Sequence, residues 1–185
     1  MTENEVDDIR STEGAGAMAD EPVRIVPYDP SWPERFEQER AALADVIGDW
    51  VFGGIHHVGS TSVSGLEAKP VIDILVGVRS LEESRSCFDR LARLGYLYAP
   101  YRSSEMHWFC KPDPSRRTHH LHLVPAGSLR FRDELVFRDY LRVRRDVAKE
   151  YGALEASAGE GVQARPRGIH GSEDRVHPRD RQTRR

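Results

Sequence analysis

At 185 residues the chain is long enough for one ordinary domain with its own core, and short for two. Hydrophobic residues at 38% against 31% charged describe a globular protein, and a formal net charge of −3 excludes the strongly basic surface on which nucleic-acid binding relies. The longest mostly apolar run, PVIDILVGV at 70–78, is half a membrane span and carries an aspartate, so a membrane protein is excluded and a cytoplasmic one expected.

Residues 1–22 hold seven acids (Glu3, Glu5, Asp7, Asp8, Glu13, Asp20, Glu21) against Arg10 and have little to bury, so they read as a disordered extension. VRIVPY at 23–28 reads as a short strand. In DPSWPERFEQERAALADVIGDW, Pro33 suits a first helical turn, and Phe36, Leu43, Val46 and Ile47 keep to one stripe. A strand is expected around 50–58, then a Gly-Ser turn, then the β-branched strand PVIDILVGV.

Leu81, Phe88, Leu91 and Leu94 mark an amphipathic helix ending at Gly95. Three further strands are expected at 96–99, 106–111 and 119–124, separated by Pro, Ser and Arg turns, and a long helix from Phe131 to Tyr151. Helices at both ends of a run of strands predict an α+β domain over 23–154, its mixed β-sheet covered mainly on one face. From Gly152 the apolar period stops, and residues 155–185 read as a disordered tail with seven arginines. Cys87 and Cys110 match neither a disulfide framework nor a zinc spacing and read as reduced buried thiols.

The chemistry concentrates in HHVGSTSVSGLEAKPVIDILV at 56–76. Residues two apart on a strand share a face, so Asp73 lies with Val71 and Leu75. A carboxylate among apolar strand residues costs several kcal/mol to desolvate unless it is paired, hydrogen-bonded or bound to a cation. That makes Asp73 the first candidate, either as a functional group or as a structural hydrogen-bond acceptor. The turn Gly59-Ser60-Thr61-Ser62 offers backbone amides and three hydroxyls suited to phosphate, and Lys69 could add a point charge. His120 and His122, two apart on a strand, can face one site, and with Asp73 and His57 would form a metal or acid–base cluster. Arg138, Arg142, Arg145 and Lys149 make one basic stripe. It is either a solvated face paired with Asp139, Asp146 and Glu150 or, if its end abuts the Gly-Ser turn, a phosphate grip.

Four blocks in order, IVPYDPSW, HHVGSTSVSGLEAKPVIDI, HLHL and FRDYLR, resemble the GrpB family over residues 23–154. The resemblance implies a nucleotidyltransferase-like α+β fold, in which a Gly-Ser turn holds a nucleoside triphosphate and an Asp-x-Asp pair on the next strand binds divalent metal. Carried over, the turn is Gly59-Ser60, the first carboxylate is Asp73, and Mg²⁺ is the implied cofactor. The second carboxylate would stand at 75, where this chain has Leu75, and two-metal phosphoryl transfer requires both ions.

The expected function is binding of a nucleotide or other phosphorylated small molecule at His57, Gly59, Ser60, Thr61, Ser62, Lys69, Arg138 and Arg142. In an enzymatic version, transfer chemistry falls to Asp73, His120 and His122. The alternatives are a catalytically silent ligand- or partner-binding domain linked to coenzyme A metabolism, since a GrpB-like domain also occurs fused to dephospho-coenzyme A kinase, and a metal-dependent hydrolase using His57, His120 and His122. The tail departs from the family pattern. With suitable synonymous codons, Arg165 to Pro178 read one base later forms an amphipathic helix of the family type, a frameshift hypothesis that the gene's DNA tests directly.

Overall fold

The computed structural model describes residues 24–161, with side chains as far as Glu155. Helix α1, Trp32–Ile47, carries Pro33 in its first turn and buries Trp32, Phe36, Glu39, Leu43 and Ile47 at intervals of three or four. The apolar stripe read from the sequence is therefore present, with one buried carboxylate inserted in it.

Five strands follow: β1 (Val51–Val58), β2 (Ile72–Val78), β3 (Leu97–Ala99), β4 (His107–Asp113) and β5 (Arg116–Pro125). They form one sheet in the order β1-β2-β5-β4-β3. Only the central pair β2–β5 is parallel; β1–β2, β5–β4 and β4–β3 are antiparallel. This is the α+β, mixed-sheet architecture that the sequence predicts. Between β2 and β3 the expected single helix is broken into α2 (Leu81–Ser84), a 3-10 turn at Arg85–Cys87 and α3 (Phe88–Arg93). The expected strand at 23–28 reduces to one bridge, Val26 to Ala68.

Alternation along the strands divides the interior. Ile72, Ile74 and Val76 of β2, with Leu121 and Leu123 of β5, pack with Trp32, Leu43, Ile47 and Leu91 from the α1 and α3 side. Leu75, Val58, Trp108 and Val124 lie on the opposite face with Phe131 and Leu135 of α4 (Leu129–Val143), so that face is covered as well. Cys87 and Cys110 are free, buried thiols.

The helix expected through Tyr151 ends at Arg144, whose φ of −104° and ψ of 82° break the α-helical path, and α5 (Arg145–Gly161) begins anew. Residues 155–161, read from the sequence as tail, therefore continue α5. Gly152, where the apolar period stops, packs close against the loop before β2. A Cβ there would lie 2.8 Å from Leu66 Cδ1. Ala148 and Leu141 join Val63 and Leu66 in a small cluster of their own. A glycine at that position serves close packing rather than helix termination. The extension at 1–22 and the tail with its frameshift hypothesis lie outside the described residues, apart from the stretch of α5. No helix among the described residues is long and apolar enough to cross a membrane.

Candidate functional site

Asp73 and His120 are direct partners in the parallel β2–β5 ladder, and Leu75 pairs with His122. The odd positions of β2 and the even positions of β5 thus share the α4 face, and the pleat gathers Asp73, His120 and His122 at its centre. His120 Nδ1 lies 2.9 Å from Asp73 Oδ1, within hydrogen-bond distance. His122 Nε2 stands 3.8 Å from the same oxygen, too far for a hydrogen bond. One donor atom from each of the three residues can be chosen so that all lie within 4.8 Å of one another. The wall is apolar: Trp108, paired in register with His122, packs its ring 5.1 Å from that of His120.

Burial alone would raise the Asp73 carboxyl, but the hydrogen bond with His120 and the nearness of His122 outweigh it and hold the group below the ordinary carboxylate range. Asp73 is therefore an anion. The other ring nitrogen of His120, Nε2, and both nitrogens of His122 are buried without a hydrogen-bond partner.

The Gly59–Ser62 turn closes one end of this face. Gly59 has φ +69°, and a Cβ there would come to 2.5 Å from Asp73 Oδ2, so a glycine is needed both for the backbone and for the carboxylate beneath it. Of the three hydroxyls the sequence offers to a phosphate, only one faces outward. Ser62 Oγ donates back to Gly59 O at 2.6 Å. Thr61, fully buried, donates to Val71 O at 3.0 Å, leaving its oxygen to accept from His57 Nε2–H at 3.1 Å. Ser60 Oγ donates to the carboxylate of Glu155 at 2.9 Å, and Tyr151 donates to the other oxygen of Glu155 at 2.8 Å.

His57 corrects the sequence reading. It pairs with Ile74 rather than Asp73, so its side chain takes the α1 face, where its ring stacks on Phe36 at 4.8 Å. Burial depresses its pKa to about 4, with Asp73's charge opposing and Arg142 and Arg138 assisting. This is a neutral histidine that braces the turn from beneath, and it stands outside the Asp73 cluster.

The basic stripe of α4 does reach the turn. Arg138 Nη1 donates to His57 O at 3.3 Å and its Nε to Asp139 at 2.8 Å. Arg142 Nε donates to Ser62 O at 3.1 Å. Arg145 instead opens α5, and Lys69 is half-buried just before β2. Tyr151 and Glu155 are the contributors that sequence reasoning misses. Tyr151 ends the expected helix and Glu155 lies beyond Gly152, where the apolar period stops, and only the break at Arg144 turns α5 back towards the site.

The donor set tests the implied Mg²⁺. That ion requires near-octahedral oxygen ligands, whereas these residues offer one carboxylate and two imidazoles, and the position that would supply a second carboxylate is the fully buried Leu75. Mg²⁺ does not fit.

A family model described as GrpB protein matches residues 22–167. The UPF0157 protein YqkA of Bacillus subtilis is 35% identical over 133 residues, covering 72% of this chain but 38% of that protein, so the chain spans well under half of its length. A dephospho-CoA kinase of Mycobacterium tuberculosis is 39% identical over 82 residues, 43% of this chain and 20% of the kinase. Among solved structures, the conserved protein GrpB from Enterococcus faecalis superposes with a TM-score of 0.68 at 34% identity, covering 74% of this chain and 83% of that one. The Cid1 poly(U) polymerase gives a TM-score of 0.42 at 12% identity, covering 64% of this chain and 37% of that one.

Proposed function

The chain belongs to the GrpB family, and from that premise we propose that it binds a phosphorylated small molecule of the nucleotide class on the α4 face of the sheet, at the Gly59–Ser62 turn. One observation carries this reading. Two arginines 80 or more residues away in sequence come onto the turn, where the single outward hydroxyl, Ser60's, already donates to a carboxylate. Arg138 and Arg142 spend hydrogen bonds on neutral carbonyls and share one acid, Asp139, so displacing Glu155 from Ser60 would leave one of their two charges without a carboxylate on α4. An anionic ligand would take the place of Glu155 on Ser60 and Tyr151, with Lys69 as a further cation within the same loop.

Binding is the extent of the proposal. Two-metal phosphoryl transfer is not supported by one carboxylate beside a buried leucine. The stretch of similarity to a dephospho-CoA kinase makes coenzyme A and its precursors the first ligands to try.

The test is a thermal-shift screen with nucleoside triphosphates, coenzyme A and dephospho-coenzyme A. A binder present at a hundredfold excess over its Kd adds about 2.7 kcal/mol, a rise of roughly 5 °C or more. Ser60→Ala combined with Arg142→Glu should abolish the rise. No shift from any phosphorylated ligand refutes the reading.

A further inference from the structure

We propose that Asp73, His120 and His122 form a binding site for one divalent transition ion of the zinc class, with the carboxylate and both imidazoles as direct ligands. Neither the Mg²⁺ implied by the family resemblance nor the binding of a phosphorylated ligand supplies this inference.

Three of the six buried side-chain nitrogens that have no hydrogen-bond partner among the described residues belong to His120 and His122. They lie around the Asp73 carboxylate, beside the apolar cluster of Val58, Leu75 and Trp108. A neutral imidazole presents one donor and one acceptor, and burying either without a partner costs about 1–3 kcal/mol. With His120 Nδ1 and His122 Nε2 as ligand atoms, a metal ion gives one of those three nitrogens, His122 Nε2, its missing partner.

The spacing agrees. Two ligand atoms about 2.1 Å from one ion, at octahedral to tetrahedral angles, are roughly 3.0–3.4 Å apart. The Asp73 Oδ1 distances of 2.9 Å to His120 Nδ1 and 3.8 Å to His122 Nε2 bracket that range. One donor atom from each of the three residues lies within 4.8 Å of the others, so the rings draw inward to reach a common centre.

The backbone holds the ligands in this arrangement. Asp73 and His120 are paired in the ladder, His122 is two residues on along the same strand, and Trp108 packs against the His120 ring. Ligands on adjacent central strands are less free to collapse or splay than ligands on loops. One hard oxygen with two imidazole nitrogens suits Zn²⁺, Co²⁺ or Fe²⁺ and disfavours Mg²⁺ and Ca²⁺. Three protein ligands leave a further coordination position for water or for a ligand atom, as in catalytic rather than purely structural zinc sites.

The experiment is a titration of the full chain, stripped with a chelator and free of any phosphorylated compound, with Co²⁺ followed by visible d–d absorption and then with competing Zn²⁺. Expected are one equivalent of Co²⁺, displacement by one equivalent of Zn²⁺, and no displacement by millimolar Mg²⁺. His122→Ala and Asp73→Asn should each weaken binding at least about a hundredfold, beyond the 10–100-fold typical of losing a group behind the ligands. Their circular dichroism and urea midpoints, measured without metal, verify that they remain folded. Asp73→Asn preserves side-chain shape, so a fold-neutral variant is available even if removing His122 disturbs packing. No bound Co²⁺ or Zn²⁺ up to millimolar concentration overturns the proposal. So does binding that both variants leave unchanged, which identifies an adventitious ion elsewhere. Because no phosphorylated compound is present, a negative result here leaves phosphate binding at the turn standing, and a failed ligand screen leaves the metal site standing.

Discussion

Glu39 and Asp73 each bring one carboxylate against a histidine of β5, on opposite faces of the same sheet, because His119 and His120 are consecutive. On the α1 face, Lys111 Nζ reaches both oxygens of Glu39 at 2.6 Å and the Tyr96 hydroxyl donates to it at 2.9 Å. His119 stands 3.9 Å off, its Nδ1 engaged by Thr118 at 2.8 Å. Burial, and then the charge and hydrogen bond of Glu39, push the Tyr96 phenol far above its ordinary pKa, so it stays a donor. Charge is balanced and each oxygen is occupied. On the α4 face Asp73 has two imidazoles and no fixed cation, and three of the four ring nitrogens around it are unpartnered. The same residue pair is thus complete as architecture in one place and, on our proposal, completed by an ion in the other. What separates them is a lysine on the neighbouring strand.

The largest effect expected from this difference is on stability. Glu39→Ala leaves Lys111 charged and mostly buried without a partner, a change that typically costs about 3 kcal/mol or more. Asp73→Asn, which removes one hydrogen-bonded charge from a site that already lacks a cation, should cost the metal-free protein about 1 kcal/mol. Urea denaturation of both variants measures the contrast, and equal losses would erase the distinction between the two faces.

A smaller effect separates backbone strain from crowding at the site. Gly59→Ala forces a left-handed residue to carry a side chain, about 1–3 kcal/mol, and pushes that methyl against the Asp73 carboxylate. Gly65→Ala incurs the same kind of strain at φ +80° in open space. Both should lower the urea midpoint, but only Gly59→Ala should weaken Co²⁺ binding. If Gly65→Ala weakens it equally, the close approach of Gly59 is irrelevant to the site.

The mildest effect is a pH slope from the α1 face. His57 takes a proton near pH 4 when folded and near 6.5 when unfolded. Between those values the unfolded chain binds more protons, so stability falls as pH drops from about 6.5 to about 4, with no contribution to the slope above that window. Denaturation midpoints at pH 7 and pH 5 should differ, and His57→Gln should reduce the difference without altering Co²⁺ affinity, the remainder coming from His119, which burial likewise depresses to about 4. A loss of Co²⁺ binding in that variant would return His57 to the cluster.

Much of this molecule is legible along the chain because the signals are local. The α1 stripe at Phe36, Leu43 and Ile47, the β-branched run of β2, and the shared face of His120 and His122 follow from periods of 3.6 and 2. The Leu75 in place of a second carboxylate is equally visible, and the structure finds it fully buried. Glu39 is missed because a charge within an apolar stripe looks like a solvated position until Lys111 and Tyr96, distant in sequence, are brought against it.

By itself, then, the sequence determined α1, the main strands, the α+β class and the shared face of His120 and His122, since each depends on residues near one another or on a strand's alternation. Tertiary structure alone decided which face each histidine serves. His57 shares a short sequence block with Asp73, yet its pairing with Ile74 turns it away, while His120, 47 residues on, becomes Asp73's direct partner. It also decided that one hydroxyl of the Gly-Ser turn, rather than three, faces outward, and that Tyr151 and Glu155 close over it. The physical reason is that register and helix direction are set by burying the apolar surface of the whole domain, and the polar groups are carried to wherever that packing leaves them.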